Sequence, residues 1–360
     1  MNRLLLSAVV CCCLPLSAAT AQLQTRTVVL IVADGLRWQE VFGGVDTTLI
    51  ARTQGVGDTA ALRRDFARPT VDRARLELMP FLWSVVARQG QVYGNRPLGS
   101  DGHITNGMKF SYPGYNELLT GAADPRIDRN GFGPNPNVTV FEWLARQADI
   151  GGDVAALGTW DVFRDIFARA RTGLWVRSGW DAPFPSPLND RQRLLDELYR
   201  STIRYWDDNA FDALLHSAAL ETIRQRKPRL LFVGYGETDE WAHERRYDLY
   251  LRSARQVDND IGELWNAMQA MPEYRGKTTF IITSDHGRGR GNDWTDHGRD
   301  VAGAEEWWVA ILGPDTPALG EMRDGVVTQG QVAATIAALL GYDWLSAAPS
   351  AAPPLERALR

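Results

Sequence analysis

Residues 27–37 read TVVLIVADGLR: seven apolar or β-branched residues, then Asp34, then Gly35. A run of this kind, with no polar alternation, fits a strand buried on both faces, as in a parallel sheet covered by helices. Two later stretches repeat the pattern: Arg229–Tyr235 (RLLFVGY) leads to Asp239, and Thr278–Thr283 (TTFIIT) leads to Asp285. Asp153–Leu157 and Trp307–Leu312 are further strand candidates. Helical patterns lie between them, at Leu78–Arg88, Val138–Gln147, Arg191–Trp206, Phe211–Arg226, Asp248–Met271 and Gln331–Leu340. The alternation predicts an α/β fold, a mostly parallel central sheet flanked by helices on both faces. In such sheets ligand-binding groups gather where the carboxyl ends of strands open into loops. Three strands leading to an Asp therefore place three carboxylates at one crevice. The stretches Asp46–Arg75 and Thr172–Asp190 show weak periodicity and read as loops or insertions that shape a cleft.

Other polar residues fall close to these strand ends. His286 follows Asp285 and precedes Gly287, whose freedom to turn lets two adjacent side chains aim at one point. Asp239 and His243 have i, i+4 spacing, which sets both on one face of a helical turn. His297 lies eleven residues past His286 in a polar loop, where a core histidine is out of place. The chain has five His, and three of them are in this set. His103, in a loop-like stretch, and His216, in a helical pattern, have no such company. Taken singly, Asp34 also reads as a turn cap and Asp239–His243 as an ordinary acid–histidine pair.

Ser111 opens SYPGYNELLTG (residues 111–121), the start of a helix closed by Gly121. A serine there faces free backbone N–H groups and the positive end of the helix dipole. It fits both a helix N-cap and a nucleophile activated by a metal. Three carboxylates, three imidazoles and one hydroxyl form an N/O ligand set for two divalent cations, which suits zinc and also fits manganese.

Composition narrows the rest. The chain has 360 residues, 44% apolar and 23% charged, enough for a sizeable core. A net charge of −5 and a pI near 5.6 give no field for duplex nucleic acid. Asn2-Arg3, the apolar stretch Leu4–Leu16 and Ala19-Thr20-Ala21 read as a secretory signal peptide over residues 1–21. An uncleaved anchor is the alternative; Val10 before Cys11 argues against a lipoprotein. All three Cys (Cys11, Cys12 and Cys13) lie in that segment, so the mature chain would hold metal through N and O alone. A periplasmic or secreted location is expected, with no membrane span after signal removal. Residues 347–360 read as a flexible, Ala/Pro-rich tail.

With these residues assembled, the chain resembles the alkaline phosphatase superfamily, in particular its nucleotide pyrophosphatase/phosphodiesterase-like members. The resemblance runs from Val28 to about Pro314, carried by VLIVADGLR, SYPGYNELLTG, the Asp239–His243 pair and SDHG. It implies an alkaline-phosphatase-like three-layer sandwich, with one catalytic domain over residues 22–346. It also implies two metals, usually zinc: one on Asp34, Ser111, Asp285 and His286, the other on Asp239, His243 and His297. Ser111 would attack a small-molecule phosphate mono- or diester and form a phosphoserine. The Tyr112 N–H, with Asn137 or else Asn135, would bind a phosphate oxygen. Arg288, Arg290 and Arg299 are further candidates for the phosphate, and Trp160, Trp175, Trp180 and Trp294 for an apolar wall or for packing.

The sequence departs from that pattern in two places. The family's last His follows the Asp-His pair at a much greater distance, and Gly114 stands where many diesterases carry Asn. Sulfatases place an Arg where Tyr115 stands, so a sulfuric ester hydrolase is the alternative activity, and a non-catalytic metal-binding protein of the same fold the alternative of another class. Phosphoglycerate mutases of this type need a second domain for which the chain has no room. The oligomeric state is not legible.

Overall fold

Thr27–Ala33 forms strand β1, and all seven residues are buried. The computed structural model describes residues 23–359, so the expected signal peptide lies outside the described residues. The other strands, in chain order, are β2 (Gln91–Tyr93), β3 (Ser100–His103), β4 (Val154–Gly158), β5 (Trp175–Ser178) and β6 (Leu230–Tyr235). They continue with β7 (Thr278–Thr283), β8 (Val309–Leu312), β9 (Gly320–Glu321) and β10 (Gly325–Thr328). Eight of them build one sheet in the order β5-β4-β6-β1-β7-β8-β2-β9. The five strands from β5 to β7 are parallel, whereas β8 runs antiparallel to both β7 and β2. A separate parallel pair joins β10 to β3.

Parallel neighbours have their carboxyl ends on one edge of the sheet, and here that edge carries the chemistry. Val32 of β1 sits beside Gly234 of β6 and Thr283 of β7, so Asp34, Gly236 and Asp285 emerge together. The strand period of two sends Val29, Ile31 and Ala33 to one core and Val28, Leu30 and Val32 to the other. The first core is covered by helices Asp212–Arg226 and Tyr247–Ala270. The second is covered by Ser111–Thr120, Val140–Leu144 and Gln331–Leu339. This is the layered α/β fold expected from the alternation of strands and helices.

The structure departs from the expectations where elements are short. Within the stretch expected as a loop, Thr59–Phe66 and Val71–Leu78 are helices, started by Asp58 and Thr70, whose side chains accept the Ala61 and Arg73 N–H. The helix expected over Arg191–Trp206 runs Asp190–Ser201, opened by an Asn189/Gln192 capping box. The end of the chain, expected as a flexible tail, packs against the body. Leu355 and Ala358 are buried, the Ala352 N–H donates to the Gly121 carbonyl (2.8 Å), and the Leu355 N–H donates to Thr335 Oγ1 (2.9 Å). No helix among the described residues is long and apolar enough to cross a membrane.

Candidate functional site

All seven residues named from the sequence as nucleophile or metal ligands converge at the carboxyl edge of the sheet. Asp34 leaves β1 with its backbone N–H on the Tyr235 carbonyl of β6 (2.9 Å). Gly35 then turns with φ +59°, and a Cβ there would lie 2.5 Å from Asp239 Oδ1, so glycine lets the end of β1 approach the helical turn Glu237–His243. Its N–H donates to Asp285 Oδ1 (3.0 Å), which also accepts the His286 N–H (2.9 Å). Ser111 opens the buried helix Ser111–Thr120, which is pressed onto the end of β7. A Cβ on Gly114 would meet the Asp285 carbonyl oxygen at 2.4 Å, which accounts for glycine at that position.

Four side chains form an inner station. His286, fully buried, donates through Nδ1 to the Gly287 carbonyl (2.8 Å). A carbonyl only accepts, so the Nε2 lone pair is free, and it points toward Ser111 Oγ (3.3 Å), Asp285 Oδ2 (3.4 Å) and Asp34 Oδ1 (3.5 Å). Asp34 Oδ2 accepts the Tyr115 hydroxyl (2.8 Å), while Asp34 Oδ1 and Asp285 Oδ2 are buried without a hydrogen-bond partner. Burial pushes both carboxyls up, Asp285 to about 7, and the neighbouring acids push Asp34 further. Buried carboxylate oxygens without donors, beside a fixed imidazole lone pair and a hydroxyl, fit a divalent cation. Asp34, Asp285 and His286 each offer one ligand atom within 4.8 Å of the others.

The outer station is built around Asp239. Its Oδ2 lies 3.1 Å from His243 Nε2, and its Oδ1 lies 3.9 Å from His297 Nε2. The two imidazole nitrogens are 3.0 Å apart, and the His297 ring stacks on His286 at 4.1 Å. Burial pushes Asp239 up, but the adjacent Arg288 guanidinium, then His243, hold it well below the usual carboxylate range. Burial lowers His286 and, with His286 beside it, lowers His297 further, keeping both imidazoles in the neutral form that binds metal. Asp239, His286 and His297 likewise offer atoms within 4.8 Å of one another.

Other expected residues have different roles. The Tyr112 N–H donates to Asn130 Oδ1 (3.1 Å), and its hydroxyl donates to the Gly133 carbonyl (2.6 Å). Asn135 and Asn137, expected to bind phosphate, do not line the cavity at Ser111. Both donate to Asn116 Oδ1, and Asn137 also donates to Asp124, so they brace a loop. The asparagine at the nucleophile is Asn130, in a stretch with no motif of its own. Among the arginines, Arg288 is fully buried and donates to Asp239, to the Thr295 carbonyl and to the Trp294 carbonyl (3.1 Å). Arg290 pairs with Glu306, and Arg299 lies against Met108 Sδ (3.0 Å). Trp294 is a core residue; of the four tryptophans only Trp160 lines the cavity.

Comparisons with known proteins bear on the fold. A model of the Metalloenzyme superfamily matches residues 201–340, the segment that carries Asp239, His243, Asp285, His286 and His297. Among solved structures the chain is similar to alkaline phosphatase PafA, with a TM-score of 0.62 at 10% identity, covering 94% of this chain and 100% of that one. It is also similar to the phosphonate monoester hydrolase SpPMH from Silicibacter pomeroyi (TM-score 0.58, 14% identity, 93% and 76% covered). A putative sulfatase from Bacteroides thetaiotaomicron is a third (TM-score 0.56, 12% identity, 93% and 73% covered). These likenesses define the class of fold, that of the alkaline phosphatases and sulfatases. No curated protein matches the sequence.

Proposed function

We propose that the protein is a two-metal phosphoric ester hydrolase that works through Ser111 and a phosphoserine intermediate. One observation carries the reading: the hydroxyl of a serine at a buried helix N-terminus faces the free Nε2 of His286 (3.3 Å), beside two carboxylate oxygens without donors. Asp34, Asp285, His286 and Ser111 would hold one divalent ion, and Asp239, His243 and His297 the other, with zinc the best match to this N/O set. Such ions, when bound, supply Lewis acidity toward phosphoryl oxygens and lower the pKa of an oxygen nucleophile.

The chain's own groups supply position. The helix N-terminus directs Ser111 Oγ at phosphorus and favours negative charge there. Asn130 lines the cavity at Ser111 and accepts the Tyr112 N–H through Oδ1, so its amide nitrogen is the group that would donate to a nonbridging oxygen. In the first step an Oγ–P bond forms and the ester O–P bond breaks; the serine proton leaves with the alcohol. Water then cleaves the phosphoserine, releasing phosphate and restoring the hydroxyl. The Arg that sulfatases carry near the nucleophile is Tyr115 here, and its hydroxyl is already committed to Asp34, which favours phosphate over sulfate.

Ser111→Ala tests the reading, with metal content measured by mass spectrometry and turnover on nitrophenyl phosphate, bis-nitrophenyl phosphate and nitrophenyl sulfate. Loss of at least about 1,000-fold with the metals retained is expected; undiminished turnover removes Ser111 from the role. Export to the periplasm or beyond the cell belongs to the same proposal, and fractionation of the native host tests it.

A further inference from the structure

The cavity of about 260 Å³ that reaches Asp34, Ser111 and Asp239 has a second wall that the chemistry above does not use. Trp160, Asp208, Asn209 and Glu240 form it. Asn209 is 1% exposed, and neither its amide nitrogen nor its amide oxygen has a hydrogen-bond partner. Native folds rarely leave such a group unpaired without a ligand or water to complete it. The amide is held in place by its surroundings. A β-bridge joins Asn209 to Trp160, and the Ala210 N–H donates to the Thr159 carbonyl (2.8 Å). A Cβ on Gly236 would come within 2.7 Å of Asn209 Nδ2 and 2.8 Å of Oδ1, so glycine at the end of β6 makes the room the amide occupies.

The chemistry of this wall is selective. An amide presents a donor and an acceptor side by side, the pair that a hydroxyl satisfies from both sides. Asp208, exposed, adds an acceptor for a further hydroxyl proton, and half-buried Glu240 adds a second carboxyl group. Trp160, set edge-on to Phe163 at 6.2 Å, adds an apolar surface for C–H groups. No Lys or Arg lines the cavity, which disfavours a second anion. A cationic group would leave the Asn209 donor without an acceptor. We propose that this wall is the leaving-group subsite and that it takes a neutral, hydroxyl-rich alcohol of the sugar or polyol class. The assignment rests on the ester-hydrolase reading above.

Two phosphate monoesters of equal charge, glucose 1-phosphate and ethyl phosphate, separate the two readings. The wild-type protein is expected to favour glucose 1-phosphate by at least about tenfold in kcat/KM, since sites built to bind hydroxyls reject analogues lacking them. In Asn209→Ala that ratio falls toward one. Asp208→Asn, at an exposed side chain that does not threaten folding, lowers it by a few-fold and decides the matter alone where Asn209→Ala fails to fold. An unchanged ratio in the folded variants, or a wild-type preference for phosphocholine over glucose 1-phosphate, overturns the subsite. Where the wild type turns over none of these esters, the hydrolase reading fails separately. Isothermal titration of glucose 1-phosphate then judges the wall: affinity weakened about tenfold by Asn209→Ala supports it, and equal affinity overturns it.

Discussion

Asp34, Asp285 and His286 stand at the ends of adjacent strands, with side chains no more than 8% exposed, whereas Asp239, His243 and His297 come from a helical turn and a loop, and the His243 side chain is 46% exposed. The inner group is held by the sheet itself. The Gly35 and His286 N–H groups fix Asp285, Tyr115 fixes Asp34, and the Gly287 carbonyl fixes the His286 tautomer. The outer group has no such lattice; its acid is held by one guanidinium from the loop that also carries His297. The two stations therefore carry opposite charge balances, one with excess acid and one already partly neutralised by the protein. Of the strand-end groups, Asp285 and His286 are placed by main-chain hydrogen bonding and Asp34 by Tyr115, whereas Asp239 depends on side-chain partners alone.

The largest effect that sharpens this contrast comes from the most buried and the most exposed imidazole of the set. His286→Ala is expected to lower turnover by at least about 1,000-fold and to empty the inner site, while His243→Ala weakens one equivalent of metal by about 10–100-fold and is rescued by added zinc. Equal losses, measured by mass spectrometry and kinetics, would break the contrast. Next is Arg288→Met, which takes the guanidinium from Asp239 Oδ1 and leaves His243 as its remaining close partner. The chelated protein should lose on the order of 3 kcal/mol of stability, with a larger rise in Tm on adding zinc than in the wild type.

A comparable effect is expected from pH. In the chelated protein Asp285, pushed by burial to about 7, holds a proton that the unfolded chain releases near 4, so folding takes up a proton between those values. Stability from this group is present below that window and is lost as pH rises through it, on the order of 4 kcal/mol. Asp239 has the opposite sign, its contribution being lost as pH falls. Denaturation of the chelated protein between pH 4.5 and 8, to within about 0.2 units, should show a slope that Asp285→Asn flattens. The smallest effect is that of Tyr115→Phe, which removes one hydrogen bond to Asp34 and should weaken inner-site metal by about tenfold. No change in metal affinity would show that the strand end alone orients Asp34.

Much of the inner station is visible from local sequence, because apolar runs mark β1, β6 and β7 and the acids follow within a few residues of their ends. The i, i+4 spacing of Asp239 and His243 and the polar setting of His297 are local signals as well. Short strands such as β2, β5 and β9 are not visible, since two to four residues carry no period and are set by their neighbours. Asn135 and Asn137 were offered by the resemblance alone, yet their amides close a loop around Asn116, whereas Asn130 accepts the N–H of Tyr112, next to the nucleophile. The Arg288 side chain, read as a phosphate contact in a polar loop, turns inward because Asp239 and two carbonyls offer it the acceptors that burial demands.

By itself the sequence determined the parallel α/β layout and the seven candidate ligands, since hydrophobic period and residue chemistry are local properties of the chain. The resemblance had divided those ligands into two sets; only the tertiary structure decided which hydrogen bonds brace each set, that Arg288 serves Asp239, and that Asn209 faces the cavity unpaired. Those relations join residues up to about 250 positions apart, and they follow from strand order and burial, which no short stretch encodes.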